Sequence, residues 1–161
     1  MKIICDSREQ APLDFTRYGA TIESGALEVG DYAPVGLENH CAVERKSLPD
    51  LVASLTWERE RFERELRRSR GLEAFAVVIE GSLAQIRAHD YRSQAKPHAV
   101  LQSMTAFSCR YGVNWIWADD AAGAAYFVFH FLRHYVREAM GHYKAICKAH
   151  GEAEISEVKN G

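Results

Sequence analysis

The sequence has no apolar run approaching the roughly 20 residues that a membrane-spanning helix needs. Its opening, Met1-Lys2-Ile3-Ile4-Cys5-Asp6, is charged too early for a secretory signal. Cysteine is scarce: Cys5, Cys41, Cys109 and Cys147 lie far apart, and none forms a C-x-x-C pair. A disulfide framework and a zinc site are therefore not expected, and a reducing cytoplasm is. An excess of one charge is also missing. The formal net charge is −2, so the surface as a whole is not a polyanion-binding field. Segregated charge still leaves room for nucleic acid. There is no internal repeat.

What is there is ordinary for a globular protein. With 47% hydrophobic and 26% charged residues over 161 positions, the chain can build one domain with a real core. Residues 2–6 form a short β-branched run, the first predicted strand. Residues 11–25, with Pro12, Gly19 and Gly25, read as a turn-rich link carrying a strand near 20–23. Residues 27–35 alternate as a strand in which Gly30 marks a bulge or a close backbone approach. Residues 36–40 turn, and residues 41–46 return.

The second half alternates helix and strand. Residues 49–69 read as one helix with an apolar stripe at Leu51, Leu55, Phe62 and Leu66, ended by Gly71. Residues 74–79, AFAVVI, suit a central strand buried on both faces. A short helix at 82–87, a polar loop at 90–97, a helical period over 97–111 and a last strand at 113–117 follow. Asp119 and Asp120 open a helix running to about Met140, where Gly141 is expected to break it. That helix is apolar around much of its girth, so it either packs on the core or covers a partner. His130 and His134 stand four apart on it, but no acidic partner completes a zinc motif. The expected division is a domain over 1–148 and a polar tail over 149–161.

The chemistry concentrates between residues 27 and 50. In a strand, residues two apart share a face, so Glu44 and Lys46 present one surface. Asp31 on the facing strand would add a second carboxylate. Two anions and a cation in one pocket suit metal-dependent phosphodiester hydrolysis. Carboxylates hold a hard ion such as Mg²⁺. The ion polarises the phosphate and helps generate hydroxide, and the lysine orients the water or neutralises developing charge. Arg45 falls on the opposite face by simple alternation. Ser47 and Asp50 form a helix-capping pair that explains Asp50 without catalysis. The charges from Glu58 to Arg68 read first as a solvated face with pairs such as Glu60–Arg64 and Glu63–Arg67. The other reading puts Arg59, Arg61 or Arg64 on phosphate.

Asp31 followed by Glu44-x-Lys46 resembles the signature of the restriction-endonuclease-like superfamily. The longer pattern is Gly30-Asp31, then Glu44-Arg45-Lys46, then Asp50, preceded by Asp6-Ser7-Arg8-Glu9. It resembles the motifs of the XPF/Hef-type nucleases over roughly residues 2–135. The resemblance implies an α/β, restriction-endonuclease-like fold with a mixed central β-sheet flanked by helices. It implies catalytic roles for Asp31, Glu44, Lys46, Arg45, Asp6 and Glu9, with Asp50 supporting. It places metal on Asp31, Glu44 and Asp6, and DNA on Arg8, Arg45, Arg61 and Arg64. The implied cofactor is Mg²⁺, with Mn²⁺ able to substitute. Relatives pair, so a homodimer through the 119–140 helix is expected. The helix-hairpin-helix module that follows many relatives has no counterpart within these residues. The chain thus resembles the stand-alone forms of bacteria and their viruses, and a targeting protein would serve the missing module.

The leading expectation is a Mg²⁺-dependent DNA endonuclease acting on branched or flap DNA in repair, recombination or replication. A catalytically inactive DNA-binding scaffold is the alternative, because the family includes domains that have lost catalysis. RNA or unbranched duplex as substrate would use the same chemistry.

Overall fold

The structure, a computed structural model, describes residues 1–152. The chain runs β1 (Lys2–Asp6), a 3-10 turn (Thr16–Tyr18), β2 (Thr21–Gly25), β3 (Tyr32–Pro34), β4 (Cys41–Ser47), α1 (Leu48–Leu55) and α2 (Arg59–Ser69). It continues through β5 (Ala74–Glu80), α3 (Leu83–Ala88), α4 (Pro97–Tyr111), β6 (Asn114–Trp117) and α5 (Ala121–His150). The six strands form one mixed sheet in the order β2-β1-β3-β4-β5-β6. β1 pairs with β2 in parallel, β3 runs antiparallel to both β1 and β4, and β4, β5 and β6 are parallel.

The connections explain the layers. Parallel neighbours need crossovers, and those between β4, β5 and β6 are helical. Leu51, Phe62, Leu66, Ile86, Val100 and Phe107 from these helices pack on Val77 and Ile79. The other face of the sheet is covered by α5 and the loop after β1. Leu13, Phe15, Val128, Phe129 and Leu132 meet Ile3, Val43 and Val78 there. The run AFAVVI is the buried strand its sequence predicts, with Ala76, Val77, Val78 and Ile79 fully covered. The link strand near 20–23 is β2 at the sheet's edge. Among the described residues no helix is long and apolar enough to cross a membrane.

Four boundaries differ from the sequence reading. Over 27–35 only Tyr32–Pro34 is strand, and the residues before it form a loop drawn against β4. Gly30 makes that approach possible: its φ is +76°, and a Cβ there would lie 2.9 Å from the Val43 carbonyl oxygen. The predicted single helix over 49–69 is two. Thr56 Oγ1 donates to the Val52 carbonyl at 2.6 Å, and the Glu58 N–H to the Ala53 carbonyl at 3.0 Å, which closes α1 in a turn. Gly141 does not end α5. A lone helical glycine costs only about 1 kcal/mol, and Lys144, Ala145, Lys148 and Ala149 beyond it are good helix formers. The helix closes instead at Gly151, in the left-handed conformation. Ala149 and His150 therefore belong to α5 and not to a tail, while 153–161 lie outside the described residues.

Candidate active site

β4 and the loop before β3 build the centre. Glu44 and Lys46 project from the same face of β4, and Lys46 Nζ donates to Glu44 Oε1. Both side chains are buried, and the Lys46 ammonium lies 4.9 Å from the centre of the Phe62 ring. Asp31 is pinned opposite them. Its N–H donates to the Val43 carbonyl at 2.8 Å, and its Oδ2 accepts the Arg45 N–H at 2.7 Å. Asp31, Glu44 and Lys46 thus line one cleft.

Burial dominates the electrostatics. It pushes the Asp31 carboxyl up to about 6, with the Arg45 N–H and the Lys46 charge pulling the other way. Glu44 is raised well above the usual carboxylate range by burial, then by the charge of Asp31, with Lys46 opposing. Burial pulls Lys46 down, but Glu44, Glu65 and Asp31 outweigh it, so the ammonium keeps its proton. Two carboxyls in this state repel each other until a cation or a proton joins them.

The first motif is arranged differently from the resemblance's implication. Asp6 is buried, and both of its oxygens are engaged. Oδ1 accepts from Arg8 N at 2.9 Å and Nε at 2.7 Å, and Oδ2 from Arg8 Nη2 at 3.0 Å and Leu27 N at 2.8 Å. The Arg8 side chain foremost, and these N–H groups with it, hold the Asp6 carboxyl down at about 2. Asp6 therefore anchors Arg8 and the Leu27 loop, and offers no open oxygen for an ion. Arg8 also donates to the Leu27 carbonyl, with its side chain still 76% exposed at the mouth of the cleft. Glu9 accepts from Ala11 N at 2.9 Å and lies 3.6 Å from Arg45.

Arg45 borders the cleft, but its guanidinium is held by Glu80 and by the Ala11 carbonyl, as alternation along β4 requires. Asp50 is in the cap: its N–H donates to Ser47 Oγ at 3.2 Å and its carboxylate accepts the Ser47 hydroxyl. Arg61 lies at the cleft with Glu58 3.6 Å away, whereas Arg64 points into a neighbouring groove. The expected Glu63–Arg67 pair is present at 3.5 Å, but Glu63 also binds Arg59 and Arg110. No Glu60–Arg64 pair occurs among the described residues.

Sequence reasoning passed over Glu65 and Arg68, both of which line the cleft. The charge of Glu65 acts on Asp31, Glu44, Lys46 and Arg8. Its signal was its place beside the buried stripe: Phe62 and Leu66 face the sheet, so positions 61, 65 and 68 border the sheet's end. His130 and His134 hold no such position. The His130 ring packs among Tyr18, Tyr126 and Phe129.

Among the described residues, no three acidic, histidine or cysteine side chains are close enough to hold a metal ion by themselves. The donor set is Asp31 and Glu44, two hard oxygen ligands. That suits Mg²⁺, which binds through one or two carboxylates and keeps several waters. Asp31 and Glu44 line the same cleft, and the charge of Asp31 adds to the rise at Glu44, so a cation between them would relieve their mutual repulsion and the donor set fits the ion.

Among curated proteins none matches the chain. Solved structures do. XPF from Aeropyrum pernix is 23% identical with a TM-score of 0.68, over 83% of this chain and 60% of that one. A second structure, XPF from Aeropyrum pernix in complex with DNA, is 23% identical with a TM-score of 0.68, over 85% of this chain and 66% of that one. The chain thus spans less than two thirds of either, and at this identity the likeness establishes the fold. The family model of the ERCC4 domain matches residues 5–131, well over half of the chain. Those residues contain the end of β1, strands β2 to β6, the Asp31–Glu44–Lys46 centre and the helix that carries Glu65, and the chain belongs to the ERCC4 family of XPF/Hef-type nuclease domains.

Proposed function

We propose that the protein is a Mg²⁺-dependent DNA endonuclease that hydrolyses phosphodiester bonds in branched or flap DNA. The observation that carries this reading is the buried Asp31–Glu44 pair with Lys46 on the same strand face. The DNA complex of the Aeropyrum XPF structure supports DNA as the polymer.

Asp31 and Glu44 would hold the ion, whose chemistry is to polarise the phosphate and lower the pKa of bound water. Asp31 stays aimed at it because the Arg45 N–H fixes one carboxylate oxygen. Lys46, protonated and buried beside Glu44, would stand next to an ion held by that carboxylate. From there it would orient the attacking water or meet the charge that grows on the phosphate. Arg8, held by Asp6 at the cleft mouth, would grip a phosphate oxygen, and Arg61 another. Asp6, Glu9, Arg45 and Asp50 act by holding the loops that frame the cleft. A second copy would pair through the exposed flank of α5, where Tyr126, Phe127 and Met140 face solvent.

The test is cleavage of single strand, duplex, flap, fork and four-way junction DNA, with Mg²⁺ or Mn²⁺, by wild type and by Lys46→Ala. Cutting confined to branched substrates and lost in the variant is the expected outcome. Full activity in Lys46→Ala would sink the assignment. Tight binding without cutting by wild type would favour a scaffold.

A further inference from the structure

Between α1 and α2 the chain turns at residues 56–58, and the turn is tightly fixed. Thr56 Oγ1 donates to the Val52 carbonyl at 2.6 Å, and Thr56 N and Glu58 N each donate to the Ala53 carbonyl at 3.0 Å. Trp57 is carried outward between them and is 68% exposed. The large apolar residues of the two flanking helices, Leu48, Leu51, Val52, Leu55, Phe62 and Leu66, are all buried. The indole is thus held in water by a backbone that gives it no route to the core.

Its neighbours give it a use. Trp57 lines a groove with Glu58, Arg61 and Arg64, and Glu58 and Arg61 also line the carboxylate cleft. The groove therefore adjoins the cleft. Arg61, Arg64 and Arg68 follow helical spacing on one side of α2, with Trp57 at the head of the row. Arg64 and Arg68 are exposed and have no ion-pair partner among the described residues. On the other side of the helix Arg59 and Arg67 are tied to Glu63.

We propose that Trp57 is a stacking platform for an unpaired base beside the scission site, with Arg61, Arg64 and Arg68 carrying the phosphates of that strand. This rests on the nuclease reading above and names its substrate class: nucleic acid with single-stranded nucleotides flanking the cut. A base inside a continuous duplex has both faces covered, whereas an unpaired base offers one to an indole. A protein partner would need an apolar patch. The residues that share the groove with Trp57 are Thr56, Glu58, Arg59, Glu60, Arg61 and Arg64, all polar or charged.

The test uses the full chain in EDTA, with fluorescence anisotropy on a continuous labelled duplex and on the same duplex with a single-stranded gap. Trp57→Ala is expected to bind the gapped DNA about tenfold more weakly and the continuous duplex as wild type does. Trp57→Phe should keep most of the affinity, because a phenyl ring still stacks. Gapped DNA should quench the tryptophan emission of wild type and not that of Trp57→Phe. Equal loss on both DNAs, or no loss on either, overturns the proposal. Unchanged DNA affinity with lost self-association assigns Trp57 to a protein contact and overturns it too. Wild type that binds neither DNA overturns the proposal, and absence of cleavage of either DNA by wild type in Mg²⁺ sinks the nuclease reading with it. Wild type that cleaves, beside a Trp57→Ala variant that binds gapped DNA equally well, sinks only this one.

Discussion

The Asp31 carboxylate is fastened to the strand that carries its partner: its Oδ2 accepts the backbone N–H of Arg45 at 2.7 Å, one residue beyond Glu44. The Asp31 side of the pair is therefore held by main chain, while Glu44 is held by the Lys46 side chain. A centre built this way stays assembled before any ion arrives, and the repulsion it holds must show as lost stability.

Asp31→Asn should test that. The amide keeps an oxygen for the Arg45 N–H and removes the buried charge. In EDTA at pH 8 the variant is expected to be more stable than wild type by about 1–3 kcal/mol, as the raised carboxyl implies. Cleavage and Mg²⁺ binding should both be lost. Urea denaturation and calorimetry read the two effects, and a variant less stable than wild type would show that the pair is not strained.

The same groups fix the pH dependence. The folded Asp31 carboxyl sits at about 6 against an ordinary 3.8. Its contribution to stability is complete below the ordinary value and is lost as pH rises through about 6. Asp6 runs the other way. Held at about 2, it stabilises the fold above its ordinary 3.8 and loses that contribution as pH falls toward 2. Metal-free protein should therefore melt at lower temperature at pH 8 than at pH 5. Mg²⁺ should raise the melting temperature far more at pH 8, because at pH 5 protons compete for Asp31. Asp31→Asn should flatten the slope between these pH values.

How much of this the sequence carried depended on how local each cause was. Glu44 and Lys46 sharing a face follows from the two-residue period of a strand, and the Ser47–Asp50 cap from a four-residue pattern. The buried strand β5 was legible because AFAVVI admits no polar face. The role of Asp6 was not, because it depends on a backbone N–H 21 positions away in the Leu27 loop. The break at Thr56 was hidden for another reason. The apolar stripe keeps its helical spacing across the turn, so periodicity continues where the hydrogen bonds do not. Glu65 was concealed among equally charged neighbours, and only its place on the side of α2 that borders the cleft separates it from Glu60.

Asp6→Ala separates an anchoring carboxylate from a metal-binding one. Removing it leaves the buried Leu27 N–H without its acceptor and leaves the Arg8 side chain only its bond to the Leu27 carbonyl. A loss of about 1–3 kcal/mol in stability is expected from the orphaned donor. Mg²⁺ affinity, measured by calorimetry well below the melting temperature, should change little. A collapse of metal affinity with stability intact would instead make Asp6 a ligand.

Gly30→Ala probes how the cleft is held open. The residue has φ +76°, and an added Cβ would lie 2.9 Å from the Val43 carbonyl oxygen and 3.2 Å from the Ala42 Cβ. Both neighbours belong to β4, whose central position in the sheet leaves them no room to retreat. The loop must move instead, and Asp31 moves with it because its N–H is bonded to that same Val43 oxygen. The variant is expected to lose about 1–3 kcal/mol from the strained backbone and the lost contact. Cleavage should fall much further than that loss explains when assayed at a temperature where the variant remains folded. The relevant comparison is Gly36→Ala. Gly36 also has positive φ, at +83°, but a Cβ there meets nothing within 4 Å. That variant should show the backbone penalty while keeping activity. Equal activity in the two variants would mean that the close approach at Gly30 does not position Asp31.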